Sequence, residues 1–267
     1  MFSRVSLDDR RKSAAHLVRE TGNDCLKHFR TELFVKHKAP GDVVTDIDIS
    51  METQIRARLK EAWPSDGVFG EELSGEIHDG WVWVIDPIDG TSNFCRGTAH
   101  WCVSIGALFD GVPVVGAVYD PVHNELFDAA HGQGATLNDL PLERADNITL
   151  HRATVGVGIT KKSNLDATLE GARKLAQLGT SVRSQGAAAL TLCHVACGRL
   201  DGFVEDQIHL WDACAAMVVL NEAGCSFQST FNLRTPDSGF SVCASVRPIQ
   251  DQIRESFRFF EELDSFG

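Results

Sequence analysis

The residues best equipped for chemistry lie in Asp86-Pro87-Ile88-Asp89-Gly90-Thr91-Ser92. Two carboxylates close an apolar run, Trp81-Val82-Trp83-Val84-Ile85, whose aromatic and β-branched residues predict a buried strand. Acids at the mouth of a buried strand are costly unless paired. A hard divalent cation would satisfy them, because such ions take oxygen ligands, and the carbonyl of Ile88 could face the same site. Pro87 has no N–H to give and ends regular pairing. Gly90 permits a turn or a close approach to a ligand. If a helix starts there, the N–H groups of Gly90, Thr91 and Ser92 are available to a phosphate. The expectation is a metal site beside an anion site. Taken alone, Asp-Pro-x-Asp-Gly reads at least as readily as a surface turn. Two further acid positions shift the balance: Glu71-Glu72, singly a solvated turn, and Asp212, singly a helix N-cap. Together with Asp86 and Asp89 they form a set able to hold two or three Mg²⁺ ions.

Several elements must position these acids. Leu7, Ala14, Val18, Cys25, Leu26 and Phe29 predict a helix over 6–31, with Gly22 weakening its middle. Ile47, Met51, Ile55 and Leu59 predict a second helix, capped by Asp46 or Asp48 and ended before Trp63-Pro64. Strands are expected over 103–109, 112–119 and 125–130, with Asp110-Gly111 as a hairpin turn. Beyond residue 145 the character changes. A strand over 154–159 leads to a helix over 164–178 with Leu165, Leu169, Leu175 and Leu178 inward, then a short strand-like piece near 181–184. A small-residue helix runs from Gly186 to about Cys197, and a strand over 200–204 ends at Glu205-Asp206. A helix starts at Trp211-Asp212 and is stopped by Gly224. Two more strands and a last helix marked by Ile249, Ile253, Phe257 and Phe260 follow. This predicts an α+β half over 1–145 carrying the main metal site and an α/β half over 146–267 completing it, with a substrate cleft between them.

Composition narrows the function. The chain has 267 residues, 43% of them hydrophobic, and a net charge of −12. An acidic surface argues against nucleic acid as the main ligand, but not against a phosphorylated small molecule, since bound cations invert local charge. The eight cysteines are dispersed with no CxxC pair, which predicts reduced thiols and a cytoplasmic protein. Cys193, His194 and Cys197 could make a soft-metal site, but small core cysteines are the commoner reading. His100, His123, His194 and His209 read as structural or surface residues. No apolar core of a signal peptide and no run of ~18 apolar residues is present, so neither that route of export nor a membrane partner is expected.

Gly70-Glu71-Glu72, Trp83-Val84-Ile85-Asp86-Pro87-Ile88-Asp89-Gly90-Thr91-Ser92-Asn93-Phe94 and Trp211-Asp212-Ala213-Cys214-Ala215-Ala216 resemble, in order and spacing, the signature motifs of the inositol monophosphatase family. Ala216 stands where the family usually has Gly. The resemblance covers nearly the whole chain. It implies a layered α-β-α-β-α sandwich of the sugar-phosphatase type shared with fructose-bisphosphatase, Mg²⁺ dependence, lithium sensitivity and a homodimer. It also implies roles. Glu71, Asp86, Asp89, Asp212 and the Ile88 carbonyl would be metal ligands. Glu72 would be an acid just behind them, Thr91 would orient the attacking water, and Asp46 would be the acid beside Thr91 and a weaker third metal. Either Lys36 or Lys38 would be a nearby basic residue. Gly186, Ala187 and Ala188 would approach the substrate ring, with Glu205 taking its hydroxyls. Glu71, Ile88, Asp89, Gly90, Thr91 and Asp212 would share in holding the phosphate and the metals. The implied activity is hydrolysis of inositol monophosphate. Histidinol phosphate or another small phosphomonoester is the alternative, and an RNA- or protein-binding regulatory relative is the non-enzymatic one.

Overall fold

The computed structural model describes residues 4–32, 35–39, 42–144, 147–233 and 235–260. Helix α1 (Arg4–Leu26) stops short of the expected Thr31; Arg30 has φ 64°, outside any helix. Gly22 is explained by packing: a Cβ there would lie 2.6 Å from Tyr119. A hairpin of β1 (Val35–Ala39) and β2 (Asp42–Thr45) leads to α2 (Asp46–Ala62). Then come β3 (Gly67–Gly70), β4 (Trp81–Asp89), the short α3 (Thr91–Cys95), β5 (Cys102–Phe109), β6 (Val112–Asp120), β7 (Glu125–Ala130), β8 (Ala135–Leu137) and β9 (Leu140–Pro141). These strands form a seven-stranded sheet in sequential order. Asp110-Gly111 makes the expected two-residue turn, both at positive φ (50° and 79°), between paired Phe109 and Val112.

The second half contributes β10 (Thr154–Val157), α4 (Leu165–Gln177), β11 (Ser181–Arg183), α5 (Ala188–Ala196), β12 (Gly202–Ile208), α6 (Leu210–Glu222), β13 (Ser226–Ser229), β14 (Phe240–Ser245) and α7 (Gln250–Ser256). Its five strands are ordered β11-β10-β12-β14-β13. β10 runs parallel to β11 and β12, whereas β14 is antiparallel to β12 and β13.

Alternation along the strands sets the layers. On β4, Trp83 and Ile85 face α1 and α2, while Val82 and Val84 face α5 and α6. On β12, Phe203 joins that middle layer and Val204 faces the outer helices α4 and α7. The order is therefore helices, sheet, helices, sheet, helices, as expected. Strand β4 is buried on both sides, which is why it reads as an unbroken apolar run.

Two expectations for the second half are corrected. Of the four leucines expected to point inward only Leu175 is buried; Leu165, Leu169 and Leu178 are about half exposed. The inward stripe is Thr168, Gly171 and Leu175, because Gly171 receives the Phe257 ring, which would lie 2.2 Å from a Cβ. Strand β12 also runs past Val204, so Glu205 and Asp206 lie within it.

Burial of His194 on α5 has a consequence for stability. Its ring packs 5.4 Å from that of His100, and Arg199 Nη1 lies 3.2 Å from its Nε2. Burial, then the His100 and Arg199 charges, push its pKa from 6.5 down to about 4. The unfolded chain thus binds a proton that the folded chain refuses between those values. Stability is full above pH 6.5 and is lost as pH falls towards 4, by up to about 3 kcal/mol. Lowering the pH from 7.5 to 5 should therefore cost the wild type more stability than it costs His194→Gln, read as the difference between the shifts of their urea midpoints.

Candidate active site

The site begins where β4 breaks. Residues three apart on a regular strand face opposite sides. Here the β4–β5 register slips between Asp86 and Asp89, around Pro87, so both carboxylates can reach one place. Ligand atoms of Asp86, Asp89 and Asp212 all lie within 4.8 Å of one another. Gly90 follows at φ 89°, and a Cβ there would lie 3.0 Å from that of Ala187, so the turn is closed to larger residues.

Each acid is fixed differently. Asp86 is fully buried; Oδ1 accepts from Ile88 N (3.0 Å), and Oδ2 has no hydrogen-bond partner among the described residues. Burial, then Glu71, Asp89 and Asp212, raises its pKa well above the carboxylate range. Asp89 reaches across to the start of α5, where it accepts from Ala188 N (3.1 Å) and Ala189 N (2.8 Å). Burial outweighs these bonds and pushes its pKa to about 6. Asp212 is the third residue of α6, and its Oδ2 accepts from His209 N (3.0 Å). The helix begins at Leu210 with His209 as N-cap, ahead of the Trp211-Asp212 start expected from sequence. Glu71 follows β3, is held by Glu71 N to Ile85 O (3.3 Å), and lines the same cavity.

The acid beside Thr91 is Asp48, which corrects the expectation for Asp46. Thr91 Oγ1 lies 3.2 Å from Asp48 Oδ1 and 3.0 Å from Ile88 O. Asp46 is the exposed first residue of α2. The reason is the cap: Thr45 is the N-cap residue, and Asp48 Oδ2 accepts from Thr45 N (2.9 Å), which turns Asp48 towards the site and Asp46 away. Burial raises the Asp48 pKa. Glu72 is half-buried and is not among the residues lining the cavity. The side chains of Lys36 and Lys38 lie outside the described residues.

Sequence reasoning missed Glu52 altogether. This fully buried α2 acid accepts from Glu72 N (2.7 Å) and Leu73 N (3.1 Å), and pairs with Arg56 Nε (2.8 Å). It shapes the turn that carries Glu71, and Gly70 makes room for it, since a Cβ would lie 2.4 Å from Glu52 Oε1. No local pattern signals such a contact. For Asp48 a signal existed: Thr45-x-x-Asp48 has the spacing of a capping box.

Glu71, Asp89 and Asp212 line a cavity of about 250 Å³, with Asp86 buried beside them. Gly90, Thr91 and Ser92 line it too, as do Gly186, Ala187 and Ala188. Glu205 enters from β12; burial first, then Asp212 and Asp89, raises its pKa. Gly158 leaves the space for it: a Cβ would lie 2.0 Å from Glu205 Oε2. The clustered donors are all carboxylate oxygens, with one of them buried and bare, which fits a hard divalent cation.

The sequence matches the inositol monophosphatase family over residues 6–259. The chain belongs to that family. It is 37% identical over 267 residues to the inositol monophosphatase of Mesembryanthemum crystallinum, covering 97% of this chain and 99% of that one. It is also 37% identical over 236 residues to the Nus factor SuhB of Xylella fastidiosa, covering 86% of each. Among solved structures, the inositol monophosphatase of Thermotoga maritima superposes with a TM-score of 0.84 at 28% identity, covering 97% of this chain and all of that one. The family and the layered fold expected from the three motifs are thereby established. Among the described residues, no helix of this family member is long and apolar enough to cross a membrane.

Proposed function

We propose that the chain is a Mg²⁺-dependent phosphomonoesterase that hydrolyses inositol monophosphate to inositol and phosphate. The observation that carries this is the convergence of Asp86, Asp89 and Asp212 within 4.8 Å of one another, with Asp86 Oδ2 buried and bare behind a cavity that Asp89 and Asp212 line. With Glu71 and the Ile88 carbonyl they would hold Mg²⁺, in two or three ions. When bound, Mg²⁺ supplies Lewis acidity, lowering the pKa of water and stabilising phosphoryl oxygens. The chain's own groups do the positioning. Thr91, fixed against Asp48 and Ile88, presents a hydroxyl to orient the attacking water, and Glu72 assists from behind Glu71. Gly90 and Thr91 seat the phosphate on backbone N–H groups. Glu205 and the 186–188 segment receive the ring, a carboxyl group being a sound partner for polyol hydroxyls. The small cavity suits a small substrate. The same reading makes the protein a lithium-sensitive cytoplasmic homodimer; its eight free cysteines suit a reducing compartment.

A second reading draws on the relative named Nus factor SuhB: a regulatory protein that docks on RNA or protein. The net charge of −12 opposes direct RNA docking, and the intact acid set favours catalysis. The test is phosphate release with Mg²⁺ from inositol 1-phosphate, histidinol phosphate, fructose 1,6-bisphosphate and a 3′-phosphonucleotide, with and without Li⁺. Inositol phosphate should lead by about tenfold in kcat/KM, about 1.4 kcal/mol of transition-state preference. A lead for histidinol phosphate would make Glu205 an ammonium partner. No turnover of any ester would refute the phosphatase reading.

A further inference from the structure

We infer that Asp206 is a positioning residue that clamps the outer wall of the substrate cavity to β12. The inference rests on reading this cavity as the substrate site. Asp206 is only 4% exposed and forms no ion pair among the described residues. Its Oδ2 accepts from Asn164 N at 2.5 Å, while Oδ1 is buried with no hydrogen-bond partner among the described residues. A buried acid without a cation is costly in a strand. What it holds is the N-cap residue of α4, whose own Oδ1 accepts from Ala167 N (3.2 Å), so the charge also faces the positive end of that helix.

The segment between β10 and α4 is thus pinned at both ends to β12. Gly158 N donates to Val204 O (2.8 Å), and Asn164 N donates to Asp206. These anchors flank Glu205 in sequence. Between them the segment closes on itself, Thr160 N to Ser163 Oγ (2.9 Å) and Ser163 N to Thr160 O (3.3 Å). Ile159 and Thr160 from this turn line the cavity, whereas the acid cluster and Thr91 stand on other elements. Loss of the Asp206 anchor should loosen the wall that receives the ring and leave the phosphate chemistry in place.

The test uses the full chain with Mg²⁺ and compares inositol 1-phosphate with p-nitrophenyl phosphate, which has no hydroxylated ring. Asp206→Ala removes the acceptor. Asn164→Pro removes the donor at a φ of −69°, which proline tolerates, and carries the test if the first variant fails to fold. Asn164→Gly is the control that loses the side-chain cap and keeps the N–H. Expected for Asp206→Ala and Asn164→Pro is a KM for inositol phosphate raised about fivefold or more, with kcat and the aryl ester within about twofold, the signature of lost uniform binding. Trypsin cleavage after the exposed Lys161 and Lys162 should quicken about tenfold in both variants, reporting local opening without reference to activity. Asn164→Gly should match the wild type in KM. Unchanged KM and cleavage in Asp206→Ala, equal losses on both esters, or Asn164→Gly matching Asn164→Pro would each overturn the clamp. If the wild type hydrolyses neither ester, the phosphatase reading falls, and the cleavage rates alone decide whether Asp206 holds the segment.

Discussion

Asp89→Asn is expected to lower kcat/KM for a phosphomonoester by about a thousandfold, about 4 kcal/mol of transition-state stabilisation. The substitution keeps shape and removes one negative charge from a set whose atoms converge within 4.8 Å. It also disturbs a structural duty. Both carboxylate oxygens accept backbone N–H bonds at the start of α5, from Ala188 and from Ala189. An amide must turn its NH₂ towards one of those donors and leave it unpaired, at a cost of about 1–3 kcal/mol in stability. The rate loss and the stability loss separate by experiment: activity measured well below the unfolding temperature, at saturating Mg²⁺, reports the chemistry alone. Wild-type turnover in the folded variant would remove Asp89 from the reaction. A binding role that needs no catalysis would survive the same substitution.

The sequence made the first half of the site legible because its chemistry is local. Asp86, Asp89, Gly90 and Thr91 lie on one strand end and its turn, and their spacing already points to a shared ligand. The elements around it were readable for the same reason: an unbroken apolar run marks β4, and apolar residues at helical spacing mark α1 and α2, whereas the stacking of the layers came from the resemblance of the three motifs to the family. What sequence could not show depends on distant partners. Glu52 touches Glu72 and Leu73 from another helix, twenty residues away. The choice of Asp48 over Asp46 turned on which residue capped α2, and a threonine one position earlier took that place. The leucines of α4 were placed inward by periodicity, but the stripe that packs is the one containing Gly171, where the Phe257 ring needs the room. Small residues at close contacts carry no hydrophobic signal, so a pattern read from leucines selects the wrong face.

Asp86→Asn is expected to stabilise the metal-free protein while abolishing its response to Mg²⁺. Asp86 is fully buried, bears one oxygen with no donor, and faces Glu71, Asp89 and Asp212. Its charge therefore opposes folding until a cation is bound, as expected where function sets the residue against stability. An amide keeps an oxygen for Ile88 N and removes the repulsion. The gain should be about 1–2 kcal/mol in EDTA, a Tm rise of roughly 2–8 °C. With Mg²⁺ the order should reverse. A ligand at a hundred times its Kd stabilises the native state by about 2.7 kcal/mol, and the wild type alone should receive it. Melting curves of both proteins in EDTA and in 10 mM-scale Mg²⁺, on the order of a hundred times a sub-millimolar Kd, should thus cross. A variant that melts below the wild type in EDTA would show the Asp86 charge to be compensated within the protein. One that gains as much from Mg²⁺ as the wild type would place the cation elsewhere.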